Sequence, residues 1–529
     1  MTNIHTEQEL IAVALALIGS RTRLSSAERE CCKKIRSSRS NELVEATRRD
    51  IIDGNDPLGS AFARIRPAET RRENGATYTP WQIVDSMVTW ASNEATSPAR
   101  IVDAGAGSGR FLLAAAKSFP EAELVGIESD PLAALMLRAN FACVGLMHRL
   151  NLIVGEYRTA RLERIDGATL FIGNPPYVRH HRLTEADKTW FSKTAAAYGV
   201  KASKLAGLHI HFFLRTLQLA QAGDFGVFIT SAEWLDVNYG ATLRQLLAGA
   251  LGGAGLHVLD PEVMPFADAT TTGAITCFRV GRRPDNLKVR SVSTLGQLNG
   301  LTAGNDVPWH NVETADRWSI IVKPGPSKPA GYIELGELCR VHRGQVTGSN
   351  DVWIAGPHTA HLPDVVLTPT VTKARDLLNA GHSLTADHKL RRVVDLPADL
   401  AELDDELLPR IQEFLAWAKG QGADQSYIAQ HRRAWWSVGL KKPAPIICTY
   451  MARRAPAFVR NLCDARHINI AHGLYPREEL TDQALDAIAA WLRTNVGVAS
   501  GRTYAGGLTK FEPKEIERLA IPPLEDLVR

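Results

Sequence analysis

Short apolar runs alternate with longer helical ones from about residue 100 to 290, and this alternation restricts the fold of the chain more than any other feature. "RIVDAG", "ELVGIES", "LNLIVGE", "TLFIGN" and "DFGVFITS" have the length and apolar content of strands, while "FLLAAAKSF", "PLAALMLRANFACVG" and "HIHFFLRTLQLAQA" read as helices. Strands that alternate with helices imply crossover connections, and hence a mostly parallel sheet covered on both faces. The expected fold class is therefore α/β, a doubly wound, Rossmann-like sheet spanning residues 67–290.

The flanks read differently. Residues 1–66 form an N-terminal helical extension, with Ser25 or Ser26 capping the charged stretch that follows and Gly54 near its end. The run Ile11 to Ile18 is too short to cross a bilayer and follows Glu7 and Glu9, so it is expected to be a buried helix. Residues 291–330 are rich in Pro, Gly and Asn and are expected to be a linker. Residues 331–529 are less regular, cluster Arg, Lys and Trp, and are expected to form a second, mixed α+β domain.

Bulk properties exclude several classes. The seven cysteines are odd in number and contain no C-x-x-C pair, which argues against a disulfide framework or structural zinc and fits a reducing cytoplasm. No secretion signal or membrane span is evident. A net charge of +4 over 529 residues is compatible with nucleic acid without pointing to it.

The fourth apolar run ends in "LFIGNPPYV", Leu170 to Val178. A proline pair alone would mean no more than the end of a strand, because neither residue has an N–H for a sheet ladder. Here Pro175 also drives Asn174 toward an extended conformation, and Tyr177 follows at once. An amide and a phenol ring thus sit on a stiffened turn at the carboxyl end of a strand, where open α/β sheets bind ligands.

The first apolar run leads to the same place. Asp103, Ala104, Gly105, Gly107 and Gly109 form a glycine loop between a strand and a helix, a geometry that lets backbone approach a ligand. Arg110 stands where the dinucleotide fingerprint has its last glycine, and the acid at the start of the loop suits a cationic ligand better than a pyrophosphate. The second strand ends at Glu128, about where an acid grips ribose hydroxyls, and the third ends at Glu156 and Tyr157. Three acids at successive strand ends imply a ligand with a ribose, an amine-bearing base and a positive charge. S-adenosyl-L-methionine has all three.

With Asn174, Pro175, Pro176 and Tyr177 following this loop, the sequence resembles the gamma-class DNA adenine-N6 methyltransferases of restriction-modification systems, type II modification enzymes with a C-terminal target-recognition domain. The resemblance covers the chain from about residue 73 onward. It implies a class I methyltransferase sheet, S-adenosyl-L-methionine as cofactor with no metal, double-stranded DNA as partner, and a separately encoded restriction endonuclease as the companion activity. In "NGATYTPWQIVDSMV" it places Thr79 and Pro80 along the methionine part of the cofactor, and Glu156 stands where an aspartate is more usual. "PFADATTTGAITCF" resembles the segment whose aromatic packs on the flipped base, which implies Phe266. "RGQVTGSNDVWI", "AWWSVGLKKPAPIICTYMARRAPAFV" and "INIAHGLYP" resemble patches of attached recognition domains.

Within that domain Arg432, Arg433, Trp435, Lys441 and Lys442, with Trp436, are candidates for a DNA face; the plainer reading is a core tryptophan beside a solvated basic strip. His180, His181, His209 and His211 are not expected to bind metal, because no cysteine or carboxylate completes a set. Methylation of a protein glutamine amide or an RNA base is the second enzymatic reading, and enzymes of that kind typically lack so long a C-terminal domain. A catalytically inactive specificity subunit is the third, and the intact Asp103, Gly105, Asn174 and Tyr177 argue against it.

Overall fold

The protein is represented by a computed structural model that describes residues 4–33, 40–66, 78–260, 263, 272–315, 317–323, 328–504 and 508–528. The chain divides into two compact units, Met1–Pro324 and Gly325–Arg529.

The first unit is built on one sheet. Its strands are β1 (Pro98–Ala104), β2 (Glu123–Glu128), β3 (Leu150–Val154), β4 (Ala168–Gly173), β5 (Phe225–Ser231), β6 (Gly253–Leu259), β7 (Gly273–Arg279), β8 (Asn286–Val292) and β9 (Asn305–Pro308). They lie in the order β3-β2-β1-β4-β5-β7-β6-β8-β9. The first five are parallel, and β7 runs antiparallel between β5 and β6. This is the class I methyltransferase arrangement expected from the sequence. Strands β4 and β5 are buried along their whole length, which is why they read as unbroken apolar runs.

Helices cover the sheet. Among them are α1 (Glu7–Ile18), α2 (Ser26–Cys32), α3 (Asn41–Ile52), α4 (Pro57–Ile65), α5 (Trp81–Ser92), α6 (Arg110–Ser118), α7 (Pro131–Cys143), α8 (Glu185–Ala197) and α9 (Leu208–Leu219). Several of these helices start at a side-chain cap. Thr6 and Glu9 make a capping box at α1, Ser25 caps α2, and Asp130 caps α7 ahead of Pro131. Helix α1 buries Leu10, Ile11, Val13, Ala14 and Leu17 in a core shared with Leu132, Leu135 and Met136 of α7.

Two boundaries differ from expectation. Residues 1–66 are no separate extension, because α1 to α4 pack against α7 in the same unit. Residues 291–323 carry the end of β8, strand β9 and buried Trp309, Val312 and Trp318, so they belong to the first unit despite their loop-like composition. Pro and Gly mark turns there without marking a linker.

The second unit is α+β. A five-stranded sheet takes Cys339–Arg343, Ala471–Pro476, Ile446–Thr449, Phe458–Asn461 and Ser383–Leu384 in that order. Its apolar side packs Leu485, Ile488 and Leu492 of the helix Asp482–Asn495 against Ile446, Phe458 and Leu474. A second core forms around Trp353, Ile411 and Phe414, and a third around Val371, Leu377 and Val459. Among the described residues the cysteines form no disulfide. Among the described residues, no helix is long and apolar enough to cross a membrane.

Candidate active site

Strand order reverses beside β1: β2 and β3 lie to one side, β4 and β5 to the other. The loops leaving β1 and β4 must part at that point and leave a crevice. A cavity of about 560 Å³ opens there. It is lined by Gly105 and Gly107 of the glycine loop, Glu128, Glu156 and Tyr157 of the next two strand ends, and Asn174 and Pro176 of the proline turn.

The glycine loop turns tightly. Gly105, Gly107 and Gly109 have φ of 83°, 55° and 90°, values a side chain rarely tolerates. The Gly107 N–H donates to Glu128 Oε2 at 2.8 Å, and the Asp130 N–H donates to Glu128 Oε1 at 2.8 Å. Burial pushes the Glu128 carboxyl up while these two N–H donors pull it down. Glu128 thus faces the cavity with its orientation set by backbone.

Asp103 does not line the cavity; it lies fully buried next to it. Neither carboxyl oxygen meets a hydrogen-bond donor among the described residues. Burial, with the charge of Glu128 adding to it, pushes its carboxyl well above the ordinary range. Gly173 makes room for it, since at φ 151° a Cβ there would stand 2.5 Å from Asp103 Oδ1.

The third strand end is less open than expected. Glu156 is tied to Arg158 at 3.1 Å, and Arg158 also reaches Asp187 of α8 at 2.7 Å. Tyr157 is buried, with its hydroxyl on Thr216 Oγ1 at 2.9 Å and its ring centroid 4.9 Å from that of Phe212. It contributes an apolar wall, and burial pushes its phenol up.

On the proline turn, the Asn174 amide nitrogen donates to Thr79 Oγ1 at 3.1 Å. Thr79 is buried and lines the same cavity, while Pro80 caps α5 outside it. Pro175 and Ala104 are buried. The Tyr177 ring stands edge-on to His209, centroids 6.4 Å apart, and burial pushes its phenol up. Burial holds His209 down to about 4 and His211 to about 3, and His211 stacks on Phe191 at 4.2 Å. Both imidazoles are neutral packing groups at physiological pH. Phe266 lies outside the described residues.

Sequence reasoning missed the N-terminal contribution. Phe62, Arg66 and Tyr78 line the cavity, and Arg66 bridges Glu7 and Asp130. Only the capping signal at Asp56–Pro57 was visible in the sequence, and it points to a helix start without saying where that helix packs.

In the second unit the candidate basic face divides. Arg432 is half-buried and donates to the Val346 carbonyl at 2.6 Å. Trp435 packs against Trp353 and Trp436, and Trp436 donates to the Pro397 carbonyl. Arg433, Lys441 and Lys442 are exposed. Arg432 and the two tryptophans are thus half-buried and make contacts within the unit.

Sheet order, glycine loop and strand-end acids around one cavity define a class I methyltransferase. Residues 148–252 match the family described as Eco57I restriction-modification methylase, and residues 327–529 match the C-terminal domain of type II methyltransferase M.Eco57I. Type II methyltransferase M.XamI of Xanthomonas campestris pv. amaranthicola is 56% identical over 534 residues, covering 99% of each chain. A tRNA1(Val) (adenine(37)-N6)-methyltransferase of Porphyromonas gingivalis is 35% identical over 95 residues, 17% of this chain and 37% of that one. The type IIL restriction-modification enzyme MmeI, solved in complex with DNA, shares the fold with a TM-score of 0.60 at 11% identity, over 97% of this chain and 79% of its own. The chain belongs to the type II restriction-modification DNA methyltransferases.

Proposed function

We propose that the protein transfers a methyl group from S-adenosyl-L-methionine to N6 of an adenine flipped out of double-stranded DNA, within the sequence its second unit recognises. The observation that carries this reading is the Asn174 amide, anchored through its nitrogen on Thr79 at the edge of a cavity bounded by the glycine loop and Glu128.

The residues present fit the cofactor. Asp103 is a buried carboxylate without a hydrogen-bond donor, beside a second carboxylate, and such a pair favours a cation nearby. Glu128 keeps acceptor capacity for ribose hydroxyls beyond its two backbone donors. Gly105 and Gly107 let backbone approach, Thr79 is assigned to the methionine end with Pro80 behind it outside the cavity, and Glu156 and Tyr157 are assigned to the adenine end. When bound, S-adenosyl-L-methionine supplies an electrophilic methyl group on a sulfonium.

The exocyclic amine of adenine is a poor nucleophile because its lone pair is delocalised into the ring. The Asn174 side-chain oxygen and the Pro175 carbonyl accept hydrogen bonds from that amine and favour a pyramidal nitrogen. Pro175 and Pro176 hold both acceptors in place before reaction, so the effect is orientation and electrostatic preorganisation. No strong base is needed, since the amine loses its proton readily once alkylated. Flipping costs a few kcal/mol. The Tyr177 ring returns about 1–3 kcal/mol by stacking, and Phe266 is assigned to the same base. A separately encoded nuclease that cuts the unmethylated sequence is the companion activity, and a reducing cytoplasm is the setting.

Incubating the purified protein with labelled cofactor and bacterial genomic DNA, then digesting to nucleosides, tests the reading. N6-methyladenine confined to one sequence context is the expected product. Label in protein or RNA but not in DNA, or in cytosine, overturns it.

A further inference from the structure

Arg110 occupies the position where a dinucleotide loop would carry its last glycine, and its environment gives it a task. Its Nε donates to Asp56 Oδ2 at 2.7 Å and its Nη1 donates to the Thr79 carbonyl at 2.8 Å. The guanidinium carbon lies 5.1 Å from the Tyr78 ring centroid and 5.6 Å from that of Trp81. A planar fork with two acceptors and two aromatic neighbours has little freedom left.

Asp56 is equally determined. It caps α4 by accepting from the Gly59 N–H at 2.8 Å, and it accepts from Ser108 Oγ at 2.6 Å and from Asn140 Nδ2 at 3.4 Å. Asn140 in turn donates to the Ser108 carbonyl at 2.8 Å. Asp56, Thr79, Ser108 and Asn140 are all buried, so the bonds between them are shielded from water.

We propose that Asp56 and Arg110 are positioning residues for the methyl transfer, acting through Thr79 on the amide of Asn174. The path is continuous: Asp56 to Arg110, Arg110 to the Thr79 carbonyl, and Thr79 Oγ1 to the Asn174 nitrogen. Arg110 holds the Thr79 backbone from one side and the Pro80 ring restricts it from the other, which fixes where the Thr79 hydroxyl stands. That hydroxyl accepts from the Asn174 nitrogen, and with the nitrogen held there the amide oxygen faces the amine. The proposal rests on the reading of Asn174 given above.

The test is single-turnover methylation at saturating cofactor, alongside calorimetric cofactor affinity and thermal melting. Thr79→Val removes the acceptor and keeps the shape; its rate at saturating cofactor is expected to fall about tenfold or more, a larger loss than any in cofactor affinity. Thr79→Ser, which keeps the hydroxyl, is expected to recover most of the rate. Arg110→Met is expected to slow the step similarly, and the double variant to be no slower than the slower single one, as groups in one path are not additive. If Arg110→Met melts too low to assay, Asp56→Asn in the wild-type and Thr79→Val backgrounds gives the same cycle. Losses that multiply, a loss wholly in cofactor affinity, or no rescue by Thr79→Ser would overturn the proposal. An active Asn174→Ala would instead sink the reading beneath it, so the two failures are distinguishable.

Discussion

In the first unit, five parallel strands deliver a glycine loop, successive acids and a proline turn to one cavity. In the second, three apolar cores are spread over small sheets, and its candidate basic residues divide between surface and interior. The contrast fits the division of labour proposed above. A transfer reaction happens at one point, so its groups must converge, and a parallel sheet supplies convergence at its carboxyl edge. Reading a DNA sequence needs contacts spread along many base pairs, and many scaffolds can carry them.

The largest effect comes from separating the units. A fragment ending at residue 324 keeps the whole sheet, whereas a cut at 290 would sever β8 and remove β9. The 1–324 fragment is expected to bind cofactor and lose site-specific affinity for duplex DNA by about a thousandfold or more. The fragment 325–529 should keep salt-sensitive DNA binding. Footprinting both beside the full chain checks this. A 1–324 fragment that methylates the same sites as the intact protein breaks the division of labour.

Next in size, Asn174→Ala should lower kcat by about 10²–10³-fold, the range for removing one preorganised group, with cofactor affinity near normal. Equal losses in both would move Asn174 from the amine to the cofactor. Tyr177→Ala should slow methylation of duplex by about tenfold, in keeping with a stack worth roughly 1–3 kcal/mol, while Tyr177→Phe stays close to wild type. Phenylalanine as damaging as alanine would replace stacking with a bond to the phenol.

These residues were legible because they break local rules. Asn174–Tyr177 stiffen a strand end with two residues that cannot pair, and Gly105–Gly109 interrupt an apolar strand-to-helix passage. Strands β1 to β5 were equally plain from their apolar runs. The positions of β6 to β9 were not assigned, because β7 inserts antiparallel between β5 and β6 and linear periodicity carries no strand order. Asp56 was invisible for another reason: an Asp before a Pro is an ordinary helix start, and nothing local announces that its carboxylate meets Arg110, 54 residues on. Trp435 and Arg432 show the opposite ambiguity. Their cluster suggests a face, but Trp435 joins the Trp353 core and Arg432 serves the Val346 carbonyl.

That split in the basic cluster sharpens the view of the second unit. Arg433→Ala, Lys441→Ala and Lys442→Ala should each weaken binding evenly across sequences and reduce the slope of log affinity against log salt by about 1. Arg432→Ala should leave the slope unchanged and lower the melting temperature, since it strands a carbonyl. Anisotropy titrations at several salt concentrations separate the two outcomes. A changed slope for Arg432→Ala with an unchanged melt would return it to the DNA face.

The smallest effect tests how the first unit handles charge. Burial and the neighbouring Glu128 hold the Asp103 carboxyl well above its ordinary range, so in the cofactor-free protein it keeps its proton to unusually high pH. A bound sulfonium favours the ionised carboxylate and draws that range down. Between the two ranges cofactor binding must release a proton, and affinity should rise with pH by at most about tenfold per unit, then level off above the free-protein range. Asp103→Asn removes the titrating group and should flatten this dependence. Glu128→Gln should instead weaken binding at every pH, because the role proposed for it is to accept hydrogen bonds from the ribose. Calorimetry in two buffers of different ionisation heat counts the protons directly. A proton count that Asp103→Asn leaves unchanged would mean that Asp103 is not the group sensing the cofactor's charge, and that the glycine loop binds it by shape and backbone alone.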